Sequence, residues 1–278
     1  MIFHSLQNIP ISALAATFNH AFSDYLVPFH LSEAQLENKL LSDGVRLELS
    51  AGAFEGDHLI GFILHGFDVV DGRRILYNAG TGVIPEKRGQ KITARLFEFI
   101  LPVLRAEHIK SVQLEVIHGN QPAIKTYQSI GFKVVRQLDC FKGAVEIKNI
   151  SNVDIRELGT YNWPLMRTFW DWQPSWQNSV TALENVKSTN ISIGAFDGEN
   201  LIGYLLYNPV SNRIQQFAVD SRQRGRGVGR QLFEYIARIA NKDLVLINVD
   251  HNATETAAFL LSLGLKPYVS QYEMVMEL

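Results

Sequence analysis

The chain has little cysteine: Cys140 is the single cysteine among 278 residues. One thiol cannot form a disulfide within the chain, and it offers no soft ligand cluster for a metal. The eight histidines show no metal-ligand spacing either. The composition therefore excludes a disulfide scaffold and indicates no metal site, and the scarcity of cysteine predicts a reducing, cytoplasmic location.

An excess of one charge sign is also missing. Lysine and arginine total 26, aspartate and glutamate total 28, and the formal net charge is −2. This balance argues against a general nucleic-acid-binding protein. No apolar run approaches membrane-spanning length, and the N-terminus lacks the basic and apolar regions of a signal peptide. We therefore expect neither nucleic acid nor a membrane as a partner.

The chain does contain a glycine-rich turn between a strand pattern and a helix pattern. Its residues are Arg224, Gly225, Arg226, Gly227, Val228 and Gly229. Residues 214–219 are typical of a strand, and apolar residues recur at helical spacing over 231–240. Glycines at a helix start leave backbone N–H groups accessible, and the helix dipole adds positive charge there. The turn is therefore suited to a phosphate or pyrophosphate, and a strand–helix turn without a ligand is the alternative.

Two common phosphate loops do not fit these residues. The Walker pattern requires Gly-Lys-Ser/Thr at its end, whereas Gly229 is followed by Arg230 and Gln231. The dinucleotide fingerprint requires G-x-G-x-x-G, whereas the glycines here are spaced G-x-G-x-G. The pattern that fits is Arg/Gln-x-x-Gly-x-Gly/Ala, with Arg224 and Gly227 at its first and second fixed positions. This pattern resembles the pyrophosphate loop of the Gcn5-related N-acetyltransferases (GNATs), which bind acetyl-coenzyme A (acetyl-CoA).

The pattern occurs a second time, earlier in the chain. Residues 82–93 align with residues 218–229, and in both halves a strand, a short helix and a Gly-initiated strand follow in the acetyltransferase order. Such duplication changes the expected domain count. The resemblance implies two tandem acetyltransferase-like α/β domains, residues 1–147 and 148–278, joined near residues 147–154. Each is expected to have a mixed, mostly antiparallel sheet flanked by helices, with a splayed central strand pair.

The resemblance also implies which residues bind the coenzyme. In the family, the loop binds the pyrophosphate, and the preceding strand pairs with the pantetheine arm and polarises the thioester carbonyl through a backbone N–H. An asparagine contacts the arm as well. Coenzyme binding is thereby expected at Gly82, Val83, Arg88, Gly89, Gln90, Lys91, Ile92, Thr93 and Asn120 in the first half, and at Val219 and the glycine-rich turn in the second.

The two halves keep different parts of the family pattern. The second half has the loop glycines but carries Leu260 where the family has a tyrosine that protonates the departing thiolate. The first half keeps that tyrosine as Tyr127, whereas Lys91 and Thr93 replace the loop's second glycine and third small residue. Lys91 still supplies its N–H unless the position requires a positive φ, so the missing acid is the harder loss to repair. We therefore expect catalysis in the first half, and the opposite assignment remains the alternative.

Three further groups are candidates for the site, each with a structural alternative. Glu115 is placed to activate a water that deprotonates the amine, or is a strand carboxylate without a chemical role. Residues 23–25 line the acceptor pocket or pack at a helix end. An aromatic cluster forms a cage or apolar wall, or belongs to the core. Its members are Phe169, Trp170, Trp172 and Trp176.

The resemblance implies an enzyme that transfers an acetyl group from acetyl-CoA to the amine of a small acceptor molecule. Because each half departs from the family pattern, the alternative is a CoA- or acyl-CoA-binding sensor or interaction protein without turnover. No acidic run identifies the acceptor. The sequence does not specify the oligomeric state, and a monomer is compatible with it.

Overall fold

The structure, a computed structural model, describes residues 1–25, 30–148, 153–240 and 242–278. The chain divides into two compact units. The first unit comprises residues 1–135 and 272–278, and the second comprises residues 136–271. The boundary between the two tandem domains, which the sequence places after residue 147, remains a prediction. Residues 149–152 of the expected junction lie outside the described part of the chain.

The described residues form twelve strands and eight α-helices. The strands are β1 (Ile2–Ser5), β2 (Ala51–Glu55), β3 (His58–Val70), β4 (Arg73–Val83), β5 (Ser111–Ile117), β6 (Lys133–Gly143), β7 (Asp154–Glu157), β8 (Ile191–Asp197), β9 (Asn200–Asn208), β10 (Arg213–Val219), β11 (Leu244–Asp250) and β12 (Lys266–Glu277). The helices are α1 (Ile11–Ala21), α2 (Glu33–Ser42), α3 (Ile92–Ala106), α4 (Gln121–Ile130), α5 (Trp163–Arg167), α6 (Val180–Asn185), α7 (Val228–Ile239) and α8 (Thr254–Leu263).

The sheet of the first unit has the strand order β1-β2-β3-β4-β5, and the C-terminal part of β12 follows β5. The pairs among β1 to β4 are antiparallel, and the pair β4–β5 is parallel. Asp71 and Gly72 join β3 to β4 with φ values of 50° and 75°. Two central residues with positive φ match the right-handed twist of a hairpin, so this turn fixes the register of the long β3–β4 pair. The expected mixed, mostly antiparallel sheet is confirmed.

The sheet of the second unit repeats this arrangement. Its order is β7-β8-β9-β10-β11-β6, and β10–β11 is its parallel pair. Helix α7 packs one apolar face on this sheet, and its buried residues include Leu232, Phe233 and Ile236. None of the described helices is both long and apolar enough to cross a membrane. Within the described ranges, no group of three or more His, Cys, Asp or Glu side chains is placed to hold a metal ion.

The central parallel strands separate in both units, as expected. In the first unit, β4 pairs with β5 only as far as Tyr77–Gln113, although β4 continues to Val83. In the second unit, the pairing of β10 with β11 ends at Ile214–Leu246. A β-bulge lies just after each separation point, because the antiparallel register skips Ala79 in β4 and Gln215 in β10. Each unit therefore has a V-shaped split beside a bulged strand.

A buried histidine in the first unit makes its stability depend on pH. The His65 side chain is fully buried, and its Nδ1 donates a hydrogen bond to the Leu49 carbonyl at 2.7 Å. Burial lowers the pKa of His65 to about 4, against the raising effect of the Leu49 hydrogen bond. As the pH falls, His65 of the unfolded chain, with a pKa of about 6.5, is therefore protonated before His65 of the folded protein.

We therefore expect the free energy of unfolding to fall by up to about 3 kcal/mol between pH 6.5 and pH 4 through His65 alone. Urea unfolding at several pH values measures this effect. The control is His65→Asn, which keeps a donor near the position of Nδ1 but does not titrate. The variant should show a weaker loss of stability in this window, and an equal loss in both proteins would contradict the assignment.

Candidate active site

A cleft of about 610 Å³ lies in the first unit, where β4 and β5 separate. Among the described residues, neither Gln90 nor Glu115 lines it. The other predicted site residues of this half all line it: Gly82, Val83, Arg88, Gly89, Lys91, Ile92, Thr93, Asn120 and Tyr127. The structure therefore brings together a loop, a strand end and a tyrosine that are distant in sequence.

The loop of this cleft presents a row of backbone donors at the start of α3. In the described part of the protein, no acceptor takes a hydrogen bond from the N–H groups of residues 89–94. The first intrahelical bond at this end runs from the Arg95 N–H to the Lys91 carbonyl at 3.1 Å. Unpaired N–H groups and the positive end of the helix dipole together make this loop suited to an anion.

Both loops follow the same backbone path through two left-handed positions. In the first loop, Gly89 and Lys91 have φ values of 79° and 58°. In the second loop, Gly225 and Gly227 have φ values of 74° and 84°. Lys91 therefore adopts the backbone conformation of the glycine that it replaces in the repeat. A side chain in this region is strained, because Cβ approaches the following carbonyl oxygen.

We expect Lys91→Gly to raise the free energy of unfolding by about 1 kcal/mol, because the relief of left-handed strain exceeds the extra chain entropy of glycine. Chemical denaturation of both proteins measures this difference. The matched reverse change, Gly227→Lys, should lower stability by a similar amount. Lower stability in the Lys91→Gly protein would show that contacts of the Lys91 side chain stabilise the fold by more than its left-handed backbone destabilises it.

The loop arginine of the first half binds other parts of its own unit. The Arg88 Nε donates to the Val83 carbonyl at 3.2 Å, and its guanidinium donates to the Asp24 carboxylate at 2.6 and 2.8 Å. A further bond reaches the Ala21 carbonyl at 2.8 Å. The hydrogen bond from Arg88 lowers the pKa of Asp24, in opposition to desolvation. The Arg88 side chain thus ties the end of α1 to the end of β4, and its backbone N–H is bonded to the Pro85 carbonyl at 3.2 Å, so its coenzyme contact remains a prediction.

The second half repeats these contacts. The Arg224 Nε donates to the Val219 carbonyl at 3.1 Å, and its guanidinium donates to Asp171 at 2.7 Å and to the Phe169 carbonyl at 3.1 Å. Each loop arginine therefore bonds a strand-end carbonyl, a carboxylate and a carbonyl of the preceding helical region. The carboxylate partners of these two arginines were missed in the sequence, because they lie more than fifty positions away.

Tyr127 is half-buried in the first cleft, where its ring packs edge-on against Phe132 with centroids 5.6 Å apart. Burial raises the pKa of Tyr127 to about 12, against the lowering effect of hydrogen bonding to Thr81 and Asn78. Asn78 in turn donates to the Thr81 hydroxyl at 2.7 Å. The phenol is therefore protonated at neutral pH and can donate a proton within the cleft.

Two other side chains complete the polar lining of this cleft. Tyr25 and Asn120 both line it, and the hydrogen bond between them partly offsets the rise in the Tyr25 pKa that burial causes. Asn120 also caps α4, because its side chain accepts a bond from the Ala123 N–H at 3.3 Å. Of the candidate segment 23–25, Asp24 and Tyr25 line the cleft. The sequence offered no signal for Asn78 or Thr81.

Glu115 lies apart from this polar group. Its carboxylate accepts a short hydrogen bond from the Tyr77 hydroxyl. Tyr77 belongs to the last described pair between β4 and β5. Since the described lining of the cleft does not include Glu115, the geometry supplies no direct contact between this carboxylate and the cleft. Its role as a base remains a prediction from the sequence.

The second unit has a cleft of about 390 Å³ at the corresponding place. Of the predicted residues, Val219, Arg224, Gly225, Gly227, Val228 and Gly229 line it, whereas Arg226 does not line it within the described residues. No described acceptor takes a hydrogen bond from the N–H groups of residues 225–230 at the start of α7. The second loop is therefore suited to an anion in the same way as the first.

The second cleft does not repeat the tyrosine of the first. Leu260 is fully buried in the core, and the neighbouring Phe259 lines the cleft. The nearby Tyr204 hydroxyl accepts a bond from the Trp170 indole at 2.6 Å and donates one to Gln216 at 2.5 Å. This hydroxyl is fully buried and already paired, so it is not available as a proton donor.

The aromatic cluster of the second half is divided between core and cleft. Phe169 and Trp176 are buried, with 2% and 5% of their surface exposed. Trp170 and Trp172 line the cleft. Asp171, between them, is the partner of Arg224. Two members of the cluster therefore belong to the core, and the two that line the cleft leave the cage or apolar wall as a prediction.

One family model matches both halves of the chain. A family model described as the acetyltransferase (GNAT) family matches residues 14–132 and again residues 157–265. No curated protein matches the sequence.

Solved structures resemble this chain over nearly its whole length. A GCN5-related N-acetyltransferase from Sphaerobacter thermophilus shares 15% identity at a TM-score of 0.71, covering 99% of this chain and 95% of its own. A tandem GNAT protein from the clavulanic acid biosynthesis pathway shares 12% identity at a TM-score of 0.72, and the match covers 99% of this chain and 98% of that protein. A fungal multi-domain β-N-acetylglucosaminidase with a GCN5-related glucosamine N-acetyltransferase region shares 13% identity at a TM-score of 0.73. The match covers 98% of this chain and 38% of that protein. At these identities the likeness shows the fold.

Proposed function

The chain belongs to the acetyltransferase (GNAT) family as a tandem member, and on that premise we propose that it transfers an acetyl group from acetyl-CoA to the amine of a small acceptor molecule in the cytoplasm. One observation carries the proposal. In the first cleft, residues 89 and 91–93, whose N–H groups have no described acceptor, line the same cavity as the protonated Tyr127. That combination suits a ligand with an anion at one end and a departing thiolate at the other.

The residues of the first cleft fit coenzyme A in three respects. The N–H groups at the start of α3 and the Lys91 ammonium bind the pyrophosphate. Beyond its last described pair with β5, β4 offers backbone groups between Ala79 and Val83 to the amides of the pantetheine arm, apart from the Gly80 N–H and the Val83 carbonyl, which are already bonded. The volume of about 610 Å³ is within the range of sites for ligands of this kind.

Acetyl-CoA, when bound, supplies the thioester carbon that the amine attacks. The amine nitrogen forms a bond to that carbon and loses a proton to water, the carbon–sulfur bond breaks, and the departing sulfur takes a proton. Tyr127 gives that proton from its hydroxyl, because burial keeps the phenol protonated in the cleft, and its oxygen then regains a proton from water. A backbone N–H near Gly82 and Val83 polarises the thioester carbonyl.

A second function, binding without turnover, is favoured for the second unit by one observation. Leu260 is buried where the first unit has Tyr127, and the Tyr204 hydroxyl is paired inside the protein. The second cleft thus keeps the anion-binding loop and lacks a free acid at that position. We propose that the second half binds a coenzyme A ligand and that the first half carries out the transfer.

The test is a panel of amines, polyamines, aminoglycosides and peptides incubated with acetyl-CoA and the purified protein. Free thiol and acetylated acceptor are measured together, so that thioester hydrolysis is distinguished from transfer. We expect at least one acceptor to yield both products. Binding of coenzyme A without either product across the panel would favour the sensor over the enzyme.

A further inference from the structure

A smaller cavity lies at the inner end of the second cleft. It measures about 30 Å³ and shares Trp172, Pro174, Gln216 and Phe217 with the cleft. Its other walls come from Asn178 and from the separating strands β10 and β11, whose pairing ends at Ile214–Leu246. The small cavity therefore continues the cleft into the split between the strands.

The second cleft runs from the anion-binding loop at one end to the small cavity at the other. Val219 adjoins the anion-binding loop, and Gln215 at the bulge lines the small cavity. Four residues of extended strand separate them, a span of about 13 Å. An elongated ligand that binds the N–H groups of residues 225–230 with its anionic end then extends its other end toward the small cavity. In an acyl-CoA that other end is the acyl group.

The small cavity has one apolar wall formed by strand residues, and the amide side chains of Asn178, Gln215 and Gln216 also line it. Ile214, Leu246 and Val249 line it and are almost completely buried, with 1%, 3% and 3% of their surface exposed. A single water needs about 10–15 Å³ in this measure, so the cavity accommodates roughly two small groups. An acetyl group at the mouth would leave this space unfilled, whereas two additional methylenes would fill it.

The first half is polar at two positions that correspond to apolar lining residues of the small cavity, whereas Ala79 and Gly80 stand where the second half has Gln215 and Gln216. By the repeat alignment, Asn78 stands where the second half has Ile214, and Thr81 stands where it has Phe217. The Asn78 amide donates to the Thr81 hydroxyl at 2.7 Å and also accepts the Gly80 N–H at 3.1 Å. The two halves therefore differ in the chemistry that they offer to an acyl group.

From this difference we infer that the second half binds a short-chain acyl-CoA about two carbons longer than acetyl-CoA, with the acyl chain in the small cavity lined by Ile214, Leu246 and Val249. Butyryl-CoA is the representative ligand. The inference rests on the proposed coenzyme binding and adds the class of acyl group to it.

Isothermal titration of the full chain with CoA, acetyl-CoA, butyryl-CoA and octanoyl-CoA tests the inference. Burial of two methylenes corresponds to roughly tenfold tighter binding of butyryl-CoA than of acetyl-CoA. Octanoyl-CoA should lose that gain, because its chain exceeds the cavity. Gly227→Glu should remove the preference, and Lys91→Glu at the corresponding position of the first loop should keep it.

A change inside the cavity gives an independent test. Val249→Ile adds one methylene to the cavity wall and should abolish the preference for butyryl-CoA, with binding of CoA retained. The matched control is Val116→Ile at the corresponding first-half position, which should keep the preference. Should Val249→Ile fail to fold, Trp172→Ala enlarges the same cavity and should move the preference to a longer chain.

The outcomes separate this inference from the proposed function. Equal affinities for acetyl-CoA and butyryl-CoA, or a preference that survives Gly227→Glu, would overturn the acyl-chain inference while coenzyme binding stands. Absence of binding by CoA itself would overturn both. A preference removed by Gly227→Glu and by Val249→Ile would support the site as described.

Discussion

Replacing Tyr127 with phenylalanine is expected to lower the turnover number by about 10²-fold, the lower range for loss of a general acid. The affinity for acetyl-CoA should change little, because the ring and its packing against Phe132 remain. Steady-state release of free thiol gives the turnover number, and calorimetric titration gives the affinity. A pKa of about 12 keeps the hydroxyl protonated throughout the usual assay range.

The second loop provides the complementary measurement. Gly227→Glu places a carboxylate among the unpaired N–H groups of residues 225–230 and should block that loop, while acetyl transfer by the first half continues. The opposite pattern, with turnover abolished by Gly227→Glu and untouched by Tyr127→Phe, would place catalysis in the second half. In that case a group other than Tyr127 would protonate the thiolate.

Lys91→Glu is expected to raise the KM for acetyl-CoA by about 100-fold. The change removes a cation beside the proposed pyrophosphate position and adds a carboxylate, and one charge-assisted hydrogen bond already contributes about 1.5–3 kcal/mol. Both side chains adopt the same left-handed backbone with comparable strain, so the effect reports charge rather than folding. Initial rates over a range of acetyl-CoA concentrations measure the KM.

Lys91→Gly is the matched control for this experiment. It removes the ammonium, keeps the backbone N–H and relieves the positive φ of 58°. Its KM should rise by about tenfold or less, because only one favourable charge is lost. An unchanged KM in the Lys91→Glu protein would show that the pyrophosphate does not bind at this loop.

The loop and its place in the fold could be predicted from the sequence because the signal is local. Gly225 and Gly227 both take positive φ, and the strand and helix patterns on either side specify the turn. Tyr127 and Asn120 followed from their spacing to Gly131, and they do line the cleft. Local spacing within one helix is preserved on folding, so it can be read directly.

What could not be predicted depends on contacts between distant residues. Nothing in the sequence near Arg88 indicates that its guanidinium binds Asp24, 64 positions away. The alignment of Lys91 with a loop glycine raised the question of a left-handed backbone but did not answer it, because lysine rarely adopts that conformation. The strand pattern around Glu115 likewise does not reveal the hydrogen bond from Tyr77.

The course of the last strand is a further example. Residues 272–278 belong to the first unit, and Met274 and Met276 are buried in its core, with 0% and 5% of their surface exposed. An apolar alternation predicts a strand with one buried face, but it does not specify which sheet receives it. The partner is decided by packing, which a single sequence does not display.

Thermal unfolding with and without acetyl-CoA tests the central claim, coenzyme binding by the two loops, most directly. A ligand that binds the folded state raises its stability by about 2.7 kcal/mol at 100 times its Kd. At millimolar acetyl-CoA the parent protein should therefore unfold at a higher temperature, and the double variant Lys91→Glu/Gly227→Glu should show little or no increase. An unchanged midpoint in the parent protein, or an equal increase in the double variant, would contradict the account.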